Sequence, residues 1–132
     1  MNTHNCPCGR NKPYENCCKK VHEDIALAET AEDLMRSRYT AFTQVNLDYL
    51  LLSWSSKTVD TSVKAKKELK LWAKSVIWVK LEVINSTSGK KSDITGTVEF
   101  KAFYYEKGKL ECIHENSFFE KENGAWTYVG EA

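Results

Sequence analysis

The sequence is short of charge imbalance, of long apolar runs and, over its first third, of aromatic residues. Nineteen Lys and Arg against eighteen Asp and Glu leave a formal net charge of +1, so no global field draws the chain to nucleic acid or to an anionic membrane. The longest apolar stretch, around YLLL at residues 49–52, falls far short of the roughly 20 residues a membrane span needs. The opening MNTHNCPCGR has no charged-then-apolar run, so no secretory signal is expected. There is no internal repeat and no low-complexity tract. Fourteen of the fifteen Phe, Tyr and Trp residues lie beyond residue 38, which puts the main core in the downstream part of the chain.

Hydrophobic residues at 42% and charged residues at 28% describe a chain that folds. Its 132 residues suit one ordinary domain with room for a small appendage. With no secretory signal and no membrane span, the expected location is the cytoplasm, with no membrane partner and with thiols kept reduced.

Four of the five cysteines stand within CPCGRNKPYENCC, residues 6–18, in the spacing C-x-C-x8-C-C. Two close pairs on a short loop can bring Cys6, Cys8, Cys17 and Cys18 to the corners of a tetrahedron, the geometry Zn²⁺ takes with sulfur at about 2.3 Å. Pro7 stiffens the first pair, Gly9 lets the backbone turn after Cys8, and Pro13 helps the loop fold back. A four-sulfur site is coordinatively full, hence structural. Some twenty residues cannot bury enough apolar surface to offset an ordering entropy of about 1–2 kcal/mol per residue. One structural zinc ion supplies on the order of 10–16 kcal/mol in finger peptides. His22 or His4 in place of one sulfur is the alternative ligand set, and disulfides or an iron–sulfur cluster would draw on the same thiols.

Downstream, TAEDLMRSRYTAFTQVN reads as a helix, with Thr30 as N-cap and Asp33 at the capping-box position. Leu34, Arg38, Ala41, Phe42 and Val45 share its apolar face. A second short helix is expected over 47–54. A third, over about 62–74, turns Ala65, Leu69, Trp72 and Val76 inward and leaves Lys67, Lys70 and Lys74 on another side, a solvated face, with a nucleic-acid or ribosome contact as the alternative. From Val76 the period becomes two. Four strands separated by TSGKK, EKGK and ENGA follow, and Asn123-Gly124 is a strong hairpin signal. Helices first and an antiparallel meander after give an α+β architecture, with the helices on one sheet face.

Arg38 sits on the face that should be buried, and a buried guanidinium wants a carboxylate. Glu99 and Glu115 are the strand-borne candidates. On the strand LECIHENSFF, Cys112, His114 and Asn116 share one face and Glu115 the other. Either His114 points inward beside Val98, Phe100 and Tyr104, or Glu115 does and reaches Arg38; a regular strand forbids both. Cys112 is expected to be a buried strand cysteine. Arg38, Glu99, Tyr104, His114 and Glu115 are therefore the candidates for a cavity or a buried polar network. Acid–base chemistry there would use His114 or a carboxylate beside a Tyr, in a cavity of roughly 300 Å³ or more.

CPCGRNKPYENCC resembles the SEC-C motif, the zinc-binding tail also found on the bacterial preprotein translocase motor. Cys6, Pro7, Cys8, Gly9, Lys12, Tyr14, Cys17 and Cys18 match it, while Arg10-Asn11 replaces Ser-Gly and Lys19 replaces Gly. Together with AEDLMRSRYTAF, DYLLLSW, GTVEFKAFY, HENSFF and GAWTYV in that order, it makes the chain similar to the bacterial YchJ-like family. The resemblance implies an N-terminal zinc knuckle, residues 1–22, ahead of a nuclear transport factor 2-like cone of helices on a curved antiparallel sheet, residues 23–132. It also implies a tail that contacts a protein or a ribosomal surface.

Two functional readings follow. One is a non-enzymatic zinc-binding adaptor whose basic knuckle (Arg10, Lys12, Lys19 and Lys20 against Glu15) favours an acidic partner, with the cone packed on the knuckle or on a second copy as a homodimer. The other is a small-molecule-binding protein or acid–base enzyme using the cone. Nucleic acid stands third, because neither the cysteine spacing nor the near-neutral charge suits it.

Overall fold

The structure, a computed structural model, describes residues 5–132. Four helices are followed by four strands: α1 Cys18–Glu23, α2 Ala31–Thr43, α3 Leu47–Leu52, α4 Val63–Ser75, β1 Ile77–Ser88, β2 Thr95–Glu106, β3 Lys109–Glu122 and β4 Ala125–Glu131. The strands pair antiparallel in the order β1-β2-β3-β4, the meander expected from the alternation. None of the helices is long and apolar enough to cross a membrane.

Local chemistry explains most of the helix boundaries. Thr30 caps α2 by accepting from Asp33 N at 3.0 Å, while the Asp33 carboxylate reaches one residue further back than a regular capping box, to Glu29 N at 3.1 Å. Asn46 caps α3 and Ser62 caps α4 in the same way, each through the backbone N–H three residues on. Val45, expected on the apolar face of α2, lies outside it: its φ of 53° belongs to the left-handed region and ends the helix.

At the β3–β4 turn Asn123 and Gly124 both have positive φ, 52° and 82°, the turn that matches the right-handed twist of the flanking strands. A Cβ on Gly96 would stand 2.3 Å from Gly89 Cα, so the β1–β2 hairpin closes only because no side chain lies between the two. Register shifts between Trp78 and Lys80, Val83 and Asn85, and Phe118 and Phe119 bend the sheet.

The core fills the inside of that curve. Leu34 from α2, Val98 from β2, Phe119 from β3 and Trp126 from β4 have no exposed surface, and Trp126 Nε1 donates to Glu29 O at 3.1 Å. Burying such side chains stabilises the fold by about 1.5–3 kcal/mol each. α4 is held more lightly. Ala73 is its one buried residue, Ala65, Leu69 and Trp72 are half-buried, and Lys67, Lys70 and Lys74 are exposed as expected. Its anchor is Trp72, edge-on to Phe42 at 6.1 Å and to Trp78 at 5.3 Å. Residues 53–55 run beside β4, with Ser55 N donating to Tyr128 O at 2.7 Å and Tyr128 N to Ser53 O at 2.9 Å.

Candidate metal centre and cone pocket

The N-terminal loop folds back on itself. Asn5 bridges Pro13, Cys6 N donates to Lys12 O at 2.8 Å, and Gly9, with φ 97°, makes the turn between the two arms. A single 3-10 turn over Tyr14–Asn16 then delivers Cys17, and Cys18 opens α1. The result brings Cys6, Cys8, Cys17 and Cys18 together, all buried, with every Sγ within 4.8 Å of the others. Cys8 and Cys17 lie 3.6 Å apart. Four sulfurs at 2.3 Å from one tetrahedral ion stand about 3.8 Å from each other. The donor set fits such an ion in both type and spacing.

Crowding also governs the protons. Hydrogen bonds from Cys18 and then Cys8 hold Cys6 well below the ordinary thiol range, whereas hydrogen bonds to Cys6 and Cys8, and burial, hold Cys18 far above it. Cys8 sits up at about 11: its bond with Cys18 works downward, and the bond with Cys6 together with burial outweighs it. Four thiolates at this separation repel one another unless a cation lies among them.

The knuckle is clamped to α2 by groups with no marked sequence signature. Thr40 Oγ1 donates to Cys18 Sγ at 3.3 Å and lies 3.7 Å from Cys6 Sγ. Arg36 Nη1 donates to Cys8 O at 2.6 Å while its Nε holds Glu32 at 2.8 Å, an i,i+4 pair. Arg10 pairs with Asp33 at 2.6 Å. His22 is no ligand: Nε2 donates to Ser37 O at 2.8 Å, and Nδ1 accepts from the Tyr14 hydroxyl at 2.9 Å. His4, the other alternative, lies outside the described residues.

On the opposite side of α2 lies the cone. Arg38 is buried there as expected, but its partners are not the expected carboxylates. Nη1 donates to Leu50 O at 2.8 Å and Ser53 Oγ at 2.7 Å. The guanidinium lies over the rings of Trp54 at 5.0 Å and Tyr128 at 4.6 Å. Among the described residues no carboxylate forms an ion pair with it. Burial pushes Arg38 down to about 10, with Tyr128, Tyr49 and Glu115 partly opposing.

Of the two orientations open for β3, the structure takes the one with Glu115 inside. Glu115 faces the cavity and accepts from the Ser117 hydroxyl and, at 3.2 Å, from the Tyr128 hydroxyl. Glu99 and His114 therefore drop out of the cavity set. They sit on the outer sheet face, His114 Nε2 2.7 Å from Glu99 Oε2, because the β2–β3 register sets Phe100 opposite Glu115 and Lys101 opposite His114. Cys112 shares that outer face and is exposed, not buried. Tyr104 packs on Trp72 at 5.8 Å and Trp78 at 5.5 Å without lining the cavity.

The cavity measures about 160 Å³, half the size an acid–base site was expected to need. Its wall is largely aromatic, with Arg38, Glu115, Ser117 and the tyrosines Tyr39 and Tyr128 among the polar residues. Burial holds Tyr128 up at about 12, which makes it a poor proton donor at neutral pH. Trp54, Trp78 and Tyr128 escape sequence reasoning, since nothing local says that three aromatic residues so far apart converge.

Comparison with known proteins places this architecture among relatives. Residues 30–131 match the family model described as YchJ, middle NTF2-like domain. The UPF0225 protein of Streptomyces coelicolor is 41% identical over 129 residues, spanning 98% of this chain and 95% of that protein. A UPF0225 protein of Corynebacterium glutamicum is 42% identical, spanning 93% and 92%. Among solved structures, the solution structure of a SEC-C motif containing protein from Rhodopseudomonas palustris has a TM-score of 0.84 at 28% identity, covering 98% of both chains. The crystal structure of a SEC-C motif containing protein from Psychrobacter arcticus has a TM-score of 0.74 at 31% identity, over 94% of this chain and 79% of that one.

Proposed function

The chain belongs to the YchJ-like family, and from that membership we propose that it is a small cytoplasmic zinc-binding protein that works by docking rather than by catalysis. One structural Zn²⁺, held by Cys6, Cys8, Cys17 and Cys18, fixes the knuckle on α2 and leaves no coordination position for a substrate. The observation that carries the reading is the set of four buried sulfurs within 4.8 Å of one another. A tetrahedral all-sulfur set selects zinc over oxygen-seeking cations.

The docking surface is the outer side of the knuckle. Lys12, Lys19 and Lys20 are exposed there against the exposed acids Glu15 and, one turn after Lys19 on α1, Glu23, whereas Arg10 is spent on Asp33. That surface suits an acidic patch on a protein or on a ribosome. A second copy of the chain is the alternative occupant.

Metal analysis of the full chain, purified reduced and without chelator, should give one zinc per chain, lost on Cys8→Ser or Cys17→Ser. Pull-down with Lys12, Lys19 and Lys20 reversed to Glu tests the docking. Metal-free protein with an ordered knuckle, or capture indifferent to the charge reversal, overturns the reading.

A further inference from the structure

We propose that the cone pocket binds a small monocarboxylate with a compact aromatic or branched apolar body. The inference is independent of the metal and of the docking surface, and rests on hydrogen-bond donors that the protein does not use. Arg38, 96% buried from its 4% exposure, spends both N–H groups of Nη1 on Leu50 O and Ser53 Oγ. Its three other N–H groups have no hydrogen-bond partner among the described residues, and the side chain lines the cavity. Trp78 lines the same cavity, and its Nε1 is the one buried side-chain polar atom without a partner among the described residues. An unpartnered buried donor such as Trp78 Nε1 is rare and costly, and a cavity wall that holds it beside a buried guanidinium with three uncommitted N–H groups calls for an acceptor.

The acceptor's charge follows from Arg38. Its guanidinium has no carboxylate partner, and a buried cation is strongly stabilised by an anion that takes its planar fork. A carboxylate is acceptor-only and matches that fork. Glu115 does not fill the role: neither of its oxygens forms an ion pair with Arg38, and its Oε2 accepts from the Ser117 and Tyr128 hydroxyls. As a negative charge on the same wall, it also turns away a ligand with a second carboxylate. Size sets the rest. A cavity of about 160 Å³ is close to the roughly 150 Å³ that holds benzene in a protein core, and aromatic rings line most of it.

Benzoate is the probe, with benzyl alcohol as its neutral counterpart and phthalate as its dianionic one, titrated into the full metal-bearing chain. Trp54, Trp72 and Trp78 all line the pocket, so tryptophan fluorescence reports occupancy, and the Trp78 indole N–H resonance reports the contact. The expected result is saturable one-to-one binding of benzoate, more than tenfold tighter than that of benzyl alcohol or phthalate, with a shift of the Trp78 indole proton. Trp78→Phe removes the donor at no cost in protein hydrogen bonds and should weaken benzoate about tenfold. Arg38→Gln should abolish binding, and if that variant fails to fold, Trp78→Phe still decides. No saturation up to about 10 mM benzoate, equal binding of benzyl alcohol, or undiminished binding by Trp78→Phe overturns the proposal.

Discussion

Thr40 Oγ1 and Cys18 Sγ meet at 3.3 Å across the seam between α2 and the knuckle, with no exposed surface on Thr40. A hydroxyl donating to a sulfur ligand fixes that ligand's direction and moderates its charge, as outer partners of metal ligands do. Thr40→Val keeps the shape and removes the donor. Zinc affinity, measured by competition with a chromophoric chelator, should fall about 10–100-fold while the fold persists.

The knuckle should depend on the metal far more than the cone does. After chelation, or in Cys8→Ser, amide exchange over residues 6–18 should accelerate strongly. Amides of β2 and β3, whose neighbours include Val98 and Phe119 at 0% exposure, should keep their protection. Equal acceleration in both regions would mean that knuckle and cone unfold as one unit.

Arg38 is bound to the backbone of α3 rather than to an acid. Arg38→Met removes the donor to Leu50 O and Ser53 Oγ, leaving Leu50 O only the longer 3.3 Å bond from the Ser53 hydroxyl, and buried acceptors so deprived cost about 1–3 kcal/mol. Urea unfolding should show a loss of that size. The pair Glu99 and His114 gives the contrast: replacing both with Gln, on the outer face, should change stability by about 0.5 kcal/mol or less.

Alkaline pH should unfold the protein in a defined window. Burial raises Tyr39, Tyr49 and Tyr128 from 10.0 to about 12. Between those values the unfolded chain gives up protons that the folded chain keeps, so stability falls as pH rises from 10 and levels off above about 12. Absorbance of tyrosinate together with circular dichroism should show these three ionising late or only as the fold is lost.

Most features set by near neighbours are legible in the sequence, the end of α2 ahead of Val45 being the exception. The Thr30 cap, the Asn123-Gly124 turn and the change of period at Val76 each depend on neighbours a few residues away. The gathering of Cys6, Cys8, Cys17 and Cys18 is legible for the same reason, since paired cysteines on one short loop meet by local folding. Arg38 shows the limit. Its burial follows from helical spacing, but its acceptors come from α3, and no pattern in β2 or β3 announces that a backbone carbonyl will serve in place of Glu99 or Glu115.

His114 and Cys112 show a second limit. Period two separates the faces of β3 but does not say which face the helices cover, and the side with Ile113, Glu115 and Ser117 turned inward. Ser37 and Thr40 are a third case. Both are polar, and neither has exposed surface: Tyr49 of α3 and His22 of α1 close over Ser37, and the cysteine loop closes over Thr40. A helix buried on two sides looks amphipathic on paper when the second cover is a short cysteine-bearing loop.

The edges of the sheet bear on how copies of the chain can meet. Residues 53–55 occupy the outer side of β4. Along β1 the pairing shifts at two places, Gly9 of the knuckle comes close to the Leu81 carbonyl, and Lys80 and Glu82 stand out as an exposed charged pair. Neither border offers an uninterrupted ladder for a strand from a neighbouring molecule. Self-association, where it occurs, must go through side-chain surfaces, and the chain is guarded against the runaway stacking that open sheets invite.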